Sequence, residues 1–281
     1  MPAVSEIRPS PIAGRWYEGN PQRLSRQVEQ YINEAHIPDL KGEVVALIVP
    51  HAGHIYSGAT AGYAFRCVRG QTRDLVAVVS PLHAYHFAPL LTSAHQAYQT
   101  PLGTIPIDRE AVSKADEFLA KHSAMRLTPV AYDEEHSLEI ELPFLQCALR
   151  GEFKLLPLMM RSQQPETAHQ VGLALAEALK GRNALLVASS DLSHFYTQEQ
   201  ANVLDAEMLN QFASFSPEGI FKADASGTGF ACGMAAVAAV LWAAKELGAN
   251  KVEVLHHATS ADETGDTSSV VGYGAAVVLR S

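Results

Sequence analysis

The chain is poor in cysteine, in positive charge and in long apolar runs. Its three cysteines, Cys67, Cys147 and Cys232, are scattered over 281 residues. An odd, widely spaced set does not build a disulfide framework, so a reducing, cytoplasmic setting is expected. Lysine and arginine number 21 against 30 aspartates and glutamates, a formal net charge of −9. With no Lys/Arg-rich run, no nucleic-acid partner is expected. The apolar run Phe230 to Ala244 is too short to cross a bilayer and is rich in alanine, and Met1 to Gly14 has no apolar stretch of signal-peptide type. No membrane association is expected. Gly-x-Ser-x-Gly, Gly-x-x-x-x-Gly-Lys-Ser/Thr and a dinucleotide fingerprint after the first strand are all missing. Their absence removes the common serine-hydrolase and nucleotide-binding readings.

What is present is an ordinary globular composition, 47% hydrophobic and 18% charged. The runs 44–49, 75–79 and 184–188 are continuously apolar, as expected of strands buried on both faces. Helical spacing recurs over 22–35, 58–68, 109–122, 137–149, 165–180, 198–215 and 233–247, with Pro143 as a kink or break in the fourth. Residues 88–108 read as a β excursion, and 153–160, 251–256 and 272–279 as further strands. This alternation predicts a single-domain α/β/α sandwich with a mostly parallel central sheet, spanning 1–281. Residues 1–22, rich in Pro and Gly and carrying Trp16 and Tyr17, read as an irregular arm packed on that domain.

Polar residues gather where those strands stop, and ligands bind beyond the carboxyl ends of strands in such folds. His51 and His83 each follow a buried strand and a proline, positions that suit metal-ligating imidazoles or loop histidines satisfied by backbone. Cys232, at the entry to an Ala-rich helix and beside glycines, reads as a low-pKa thiolate, ligand or nucleophile, or else as a small buried hydrophobe. Asp191 and His194, at i and i+3 after a strand, suit acid-base work with the carboxylate orienting the imidazole; Asp191 equally suits a helix cap. Glu135, His136 and Glu139 form a further polar cluster, read as a helix start or as a wall of the crevice. His54 and His86 trail the first two histidines by three residues and are second choices in the same loops.

Taken together, Ala13-Gly14-Arg15-Trp16-Tyr17, Val49-Pro50-His51-Ala52-Gly53-His54-Ile55-Tyr56-Ser57-Gly58, Asp133-Glu134-Glu135-His136-Ser137-Leu138-Glu139, Ser189-Ser190-Asp191-Leu192-Ser193-His194, Cys232-Gly233 and the tail Thr264 to Tyr273 resemble the Memo family. Its prokaryotic members are also called AmmeMemoRadiSam system protein B. The resemblance implies a fold like that of the class III extradiol dioxygenases, which use non-haem iron. It also implies one mononuclear transition metal ion, Fe or Cu with Zn as a further choice, held by His51, His83 and Cys232. His194 with Asp191 would take the acid-base position, and His54, His86, Glu135, His136 and Glu139 would line the pocket. The second-histidine segment departs from the family's usual Gly-Pro-x-His, reading Ser80-Pro81-Leu82-His83-Ala84-Tyr85-His86, so His86 competes with His83. The resemblance also implies a peptide ligand or a radical S-adenosylmethionine protein as partner; a small-molecule substrate and a homodimer are further expectations. A metal-dependent redox enzyme and a non-catalytic peptide or small-anion binding module are the two readings left open.

Overall fold

A computed structural model describes residues 5–281 of the chain. Its centre is four adjacent parallel strands: β2 (Glu43–Val49), β9 (Ala184–Ser189), β3 (Leu75–Pro81) and β8 (Lys154–Met160), in that order. All seven residues of β3 are buried, as an apolar strand covered on both faces must be. On one side β12 (Val270–Arg280) pairs antiparallel with β2 and also carries β11 (Lys251–Thr259) and the short β10 (His194–Tyr196). On the other, β4 (Leu90–Ser93) runs antiparallel to β8 and parallel to β7 (Thr128–Val130). The sheet is therefore mixed: a parallel core supplies the crevice and antiparallel strands close its flanks.

Helices cover both faces. One layer holds α1 (Pro21–Glu34), α2 (His54–Arg66) and α4 (Leu142–Ala148). The other holds α3 (Arg109–Ser123), α5 (Pro165–Leu179) and α8 (Met234–Glu246), continued by α7 (Pro217–Ser226) and α6 (Gln198–Ala213). In α1 the buried residues Leu24, Val28 and Ile32 recur at helical spacing, and Asn20 caps the first turn by accepting from Arg23 N–H. Close contact between α1 and α2 requires Gly62, where a Cβ would lie 2.4 Å from the Tyr31 carbonyl oxygen. No helix among the described residues is long and apolar enough to cross a membrane.

The arm is more ordered than its composition suggests. Ile7–Arg8 forms β1, parallel to β5 (Ala97–Thr100), which pairs with β6 (Gly103–Pro106) in a small second sheet. Buried Arg8 then grips the 133–139 segment. Its Nε and Nη2 donate to Asp133 at 3.0 and 2.8 Å, Nη2 donates also to the Glu135 carbonyl at 3.0 Å, and Nη1 donates to Glu139. Two segments depart from the periodic reading. The helix expected from Gly58 begins at His54, because the Gly53 carbonyl already accepts from Tyr56 and Ser57. The helix expected over 137–149 splits at the proline into a 3-10 turn, Glu139–Glu141, and α4, with Pro143 in the first turn of α4, where its missing N–H costs nothing.

Candidate metal centre

Three neighbouring parallel strands end together. β2 delivers His51, β3 delivers His83, and β9, between them, delivers Ser189, Ser190 and Asp191. The loop after β7 brings His136 across this edge. One ligand atom each from His51, His83 and His136 lies within 4.8 Å of the others, so this trio could hold a metal ion. The His83 and His136 rings are stacked at 4.8 Å, and His51 meets both edge-on, at 5.3 and 5.5 Å.

Two of the imidazoles are hydrogen-bonded at Nδ1, and the third has Nδ1 near a carboxylate oxygen. In His51, Nδ1 bonds the Ser189 hydroxyl at 2.8 Å. In His83 it bonds Glu135 Oε1 at 3.0 Å, and the His136 Nδ1 lies 3.3 Å from the same oxygen. Nε2 is left free of that bond on His51 and His83, the arrangement in which an oxygen behind the ring fixes a ligating histidine. Glu135 is the hub of this loop: it also accepts from the backbone N–H groups of His83 at 2.6 Å, His136 at 3.0 Å and Ser137 at 2.9 Å.

The electrostatics keep most of these rings neutral. Burial holds His51 well below the ordinary histidine range, reinforced by the charges His83 and His136 would carry. Burial likewise holds His136 down to about 4. His83 moves the other way: burial opposes it, but the hydrogen bond and charge of Glu135 prevail and raise its pKa. For Glu135 burial is again outweighed, by His83 and by the Ser137 and His83 N–H groups, which hold the carboxyl far below its usual range. In the metal-free protein Glu135 therefore contributes stability that is lost as the pH falls through its depressed pKa. His83 contributes stability that is lost as the pH rises through its raised pKa, so the pair stabilises the fold between these limits.

Cys232 sits in the turn before α8. Its sulfur is 3.1 Å from His51 Nε2, and its backbone N–H donates to the Asp191 carbonyl at 3.2 Å. The turn presses on β9 through Gly233, whose N–H donates to the Ser190 hydroxyl at 2.9 Å. A Cβ at Gly233 would stand 2.4 Å from the Ser189 carbonyl oxygen, so this approach needs glycine. The sequence suggested a thiolate of low pKa here. In the folded chain burial, with Asp191 nearby, pushes the thiol up instead, because the sulfur lies against protein rather than at an open helix end. A bound cation is the charge that would reverse this.

Asp191 does not orient His194. Its Oδ1 accepts from the backbone N–H groups of His51 and Ala52 at 2.7 and 3.3 Å, and its Oδ2 is 4.0 Å from His51 Nε2. Burial raises this carboxyl to about 7 against the pull of those two N–H groups. His194 instead bonds the Leu192 carbonyl through Nδ1 at 2.8 Å, and burial lowers its pKa. It remains near enough for its charge to be felt at His51 and for that of His83 to be felt at His194.

The remaining candidates do other work. His54 is buried, bonds the Ile140 carbonyl through Nε2 at 3.0 Å and packs on Phe144, pinning α2 to the 3-10 turn. His86 accepts from Ala88 N–H at 3.0 Å and stacks on Phe87, closing its own loop. Glu139 is fully buried and receives Arg8, Ser10 and Tyr17, so it anchors the arm rather than lining a crevice. Three residues that the sequence did not offer as candidate site residues belong here: Ser189 and Glu141 behind His51, and Trp16, which stacks on His136 at 4.0 Å. Beside Trp16 opens a cleft of about 760 Å³, bordered by Arg15, His54, Tyr56, Phe195 and Tyr273.

The comparisons agree with this architecture. Residues 8–277 match the family described as Memo-like protein. A MEMO1 family protein of Nitrosopumilus maritimus is 34% identical over 273 residues, covering 96% of this chain and 98% of that one. One from Methanosarcina mazei is 33% identical over 275 residues, 97% and 99% of the two chains. The crystal structure of the uncharacterized protein JW3007 from Escherichia coli K12 shares the fold, with a TM-score of 0.53 at 12% identity, covering 84% of this chain and all of that one. The chain belongs to the Memo family.

Proposed function

We propose that the protein is a metal-dependent redox enzyme acting on a small molecule, with a mononuclear Fe or Cu centre. His51 and His83 supply two ligands through Nε2, and Cys232 or His136 supplies the third. The observation that carries this reading is the convergence of three imidazoles, two of them hydrogen-bonded at Nδ1, next to a sulfur 3.1 Å from one of them. Such a nitrogen-rich set with one soft donor suits Cu, Fe or Zn. When bound, Fe or Cu would supply one-electron chemistry. The chain's own residues do the rest. His194 would hold or move a proton beside the centre, and the Asp191 carboxyl, near 7 and 4.0 Å from His51 Nε2, would be a second proton-holding group. Trp16 stacks on His136 and borders the neighbouring cleft. A reducing cytoplasm suits Cys232, since thiolates oxidise readily.

Metal analysis of anaerobically purified protein tests the reading. About one Fe or Cu per chain, lost on chelation and restored on reloading, is expected. Protein that neither contains nor takes up Fe, Cu or Zn would end it.

A pH dependence follows from His83. Because Glu135 raises its pKa, His83 is the ligand for which protons compete most effectively near neutrality. Zn²⁺ affinity is expected to drop as the pH falls through the raised His83 pKa, with His51 and His136 contributing little to the fall. In Glu135→Gln the drop should move to lower pH, as followed by titration against a chromophoric chelator. An unmoved profile would assign the competing proton elsewhere.

A further inference from the structure

Behind His51 lies a short buried chain whose hydrogens can be assigned from its partners. Ser189 Oγ has three: the Ser137 carbonyl oxygen at 2.6 Å, His51 Nδ1 at 2.8 Å and Glu141 Oε1 at 3.0 Å. A carbonyl oxygen only accepts, so the single hydroxyl hydrogen goes to Ser137. The two lone pairs of Ser189 Oγ must then be met by donors, which makes His51 Nδ1 an N–H and Glu141 Oε1 an O–H. An ionised carboxylate at 3.0 Å from an oxygen with no hydrogen between them would be repelled.

We propose that Glu141, as a neutral carboxylic acid, and Ser189 lock His51 in its Nδ1–H tautomer, so that Nε2 stays a lone-pair donor towards the metal. Both are positioning residues, acting through His51 without reaching the centre themselves. The surroundings favour the neutral acid. Glu141 is fully buried between Leu142 and Ile140, no cation among the described residues pairs with it, and burial together with the nearby Asp191 pushes its pKa well above the carboxylate range. The opposite tautomer would leave His51 Nδ1 as an acceptor facing a hydroxyl whose hydrogen is already used. The consequence for metal affinity rests on the proposed metal centre; the tautomer itself does not.

The test uses three variants of the full chain, with thermal unfolding as a control for folding. Long-range ¹H–¹⁵N spectra of the metal-free protein read the His51 tautomer, and competition with a chromophoric chelator reads Zn²⁺ affinity. Glu141→Gln keeps a neutral donor to Ser189 Oγ, so the tautomer should be unchanged and the affinity within about threefold of the parent. Glu141→Leu removes the donor and frees Ser189; mixed His51 tautomers and an affinity lower by about tenfold or more are expected. Ser189→Ala should mix the tautomers as well, with little change of volume. Two results would overturn the lock: Glu141→Gln behaving like Glu141→Leu, which would mean the charge is required, or a pure Nδ1–H signal in both Glu141→Leu and Ser189→Ala. If the parent protein binds no Zn²⁺, Fe or Cu, the metal reading fails while the tautomer spectra still decide the lock.

Discussion

His51→Ala should lower Zn²⁺ or Cu affinity by about a hundredfold or more, beyond the ~10–100-fold typical of losing a residue that merely supports a ligand. His51 carries this weight because it is the most constrained of the three imidazoles. It is 2% exposed, its backbone N–H is held by Asp191, its Nδ1 by Ser189, and its Nε2 faces both the other rings and the Cys232 sulfur. Losing it removes a ligand that paid its ordering entropy during folding, not on metal binding. His83, exposed and hydrogen-bonded only to Glu135, should cost less when replaced. Comparing Cys232→Ala with His136→Ala then identifies the third ligand: the larger loss marks it, and substitution of the other should leave affinity within about tenfold. A chelator titration giving His51→Ala the parent affinity would remove the metal centre from this edge of the sheet.

Arg8→Met is expected to destabilise the fold by roughly 3–5 kcal/mol, the cost of breaking a buried ion pair from one side. Arg8 and Glu139 are both essentially inaccessible to water, and the guanidinium also serves Asp133 and the Glu135 carbonyl. Without it, Glu139 retains only Ser10 and Tyr17 as donors for its charge. Methionine keeps most of the volume over Tyr98, on which the guanidinium now lies at 4.9 Å, so the loss measured is electrostatic rather than a cavity. Urea unfolding followed by circular dichroism gives the number. A change below about 1 kcal/mol would mean that the arm is held by its apolar contacts instead.

How much of this was legible in the sequence depends on the kind of signal. Val44 to Val49 and Leu75 to Val79 are short, uninterrupted, valine-rich apolar runs, which suit strands buried on both faces, so the parallel core and its polar carboxyl edge could be read from them. The antiparallel flanks could not: β10 is three residues long, and its pairing with β12 depends on partners distant in sequence. Within 133–141 the residues were visible but not their division of labour. Glu135, Glu139 and Glu141 look alike as carboxylates at a helix start. In the fold one is a hub for backbone N–H groups, one the counter-ion of the arm, and one a support behind His51. Only the apolar neighbours Leu138, Ile140 and Leu142 hint that the last two face inwards. Asp191 and His194 illustrate a further limit. A spacing of i, i+3 suggests a pair, but the first side chain turns back to the N–H groups of the neighbouring loop and the second to the Leu192 carbonyl.

The stacking of Trp16 on His136 makes the chain its own spectroscopic probe. Of the two tryptophans, Trp242 packs with Phe221 and His169 on the opposite helical layer, so its light should be indifferent to events at the strand ends. Indole emission from Trp16, 4.0 Å from the imidazole, is instead a direct readout of whatever paramagnetic or closed-shell ion comes to rest beside it.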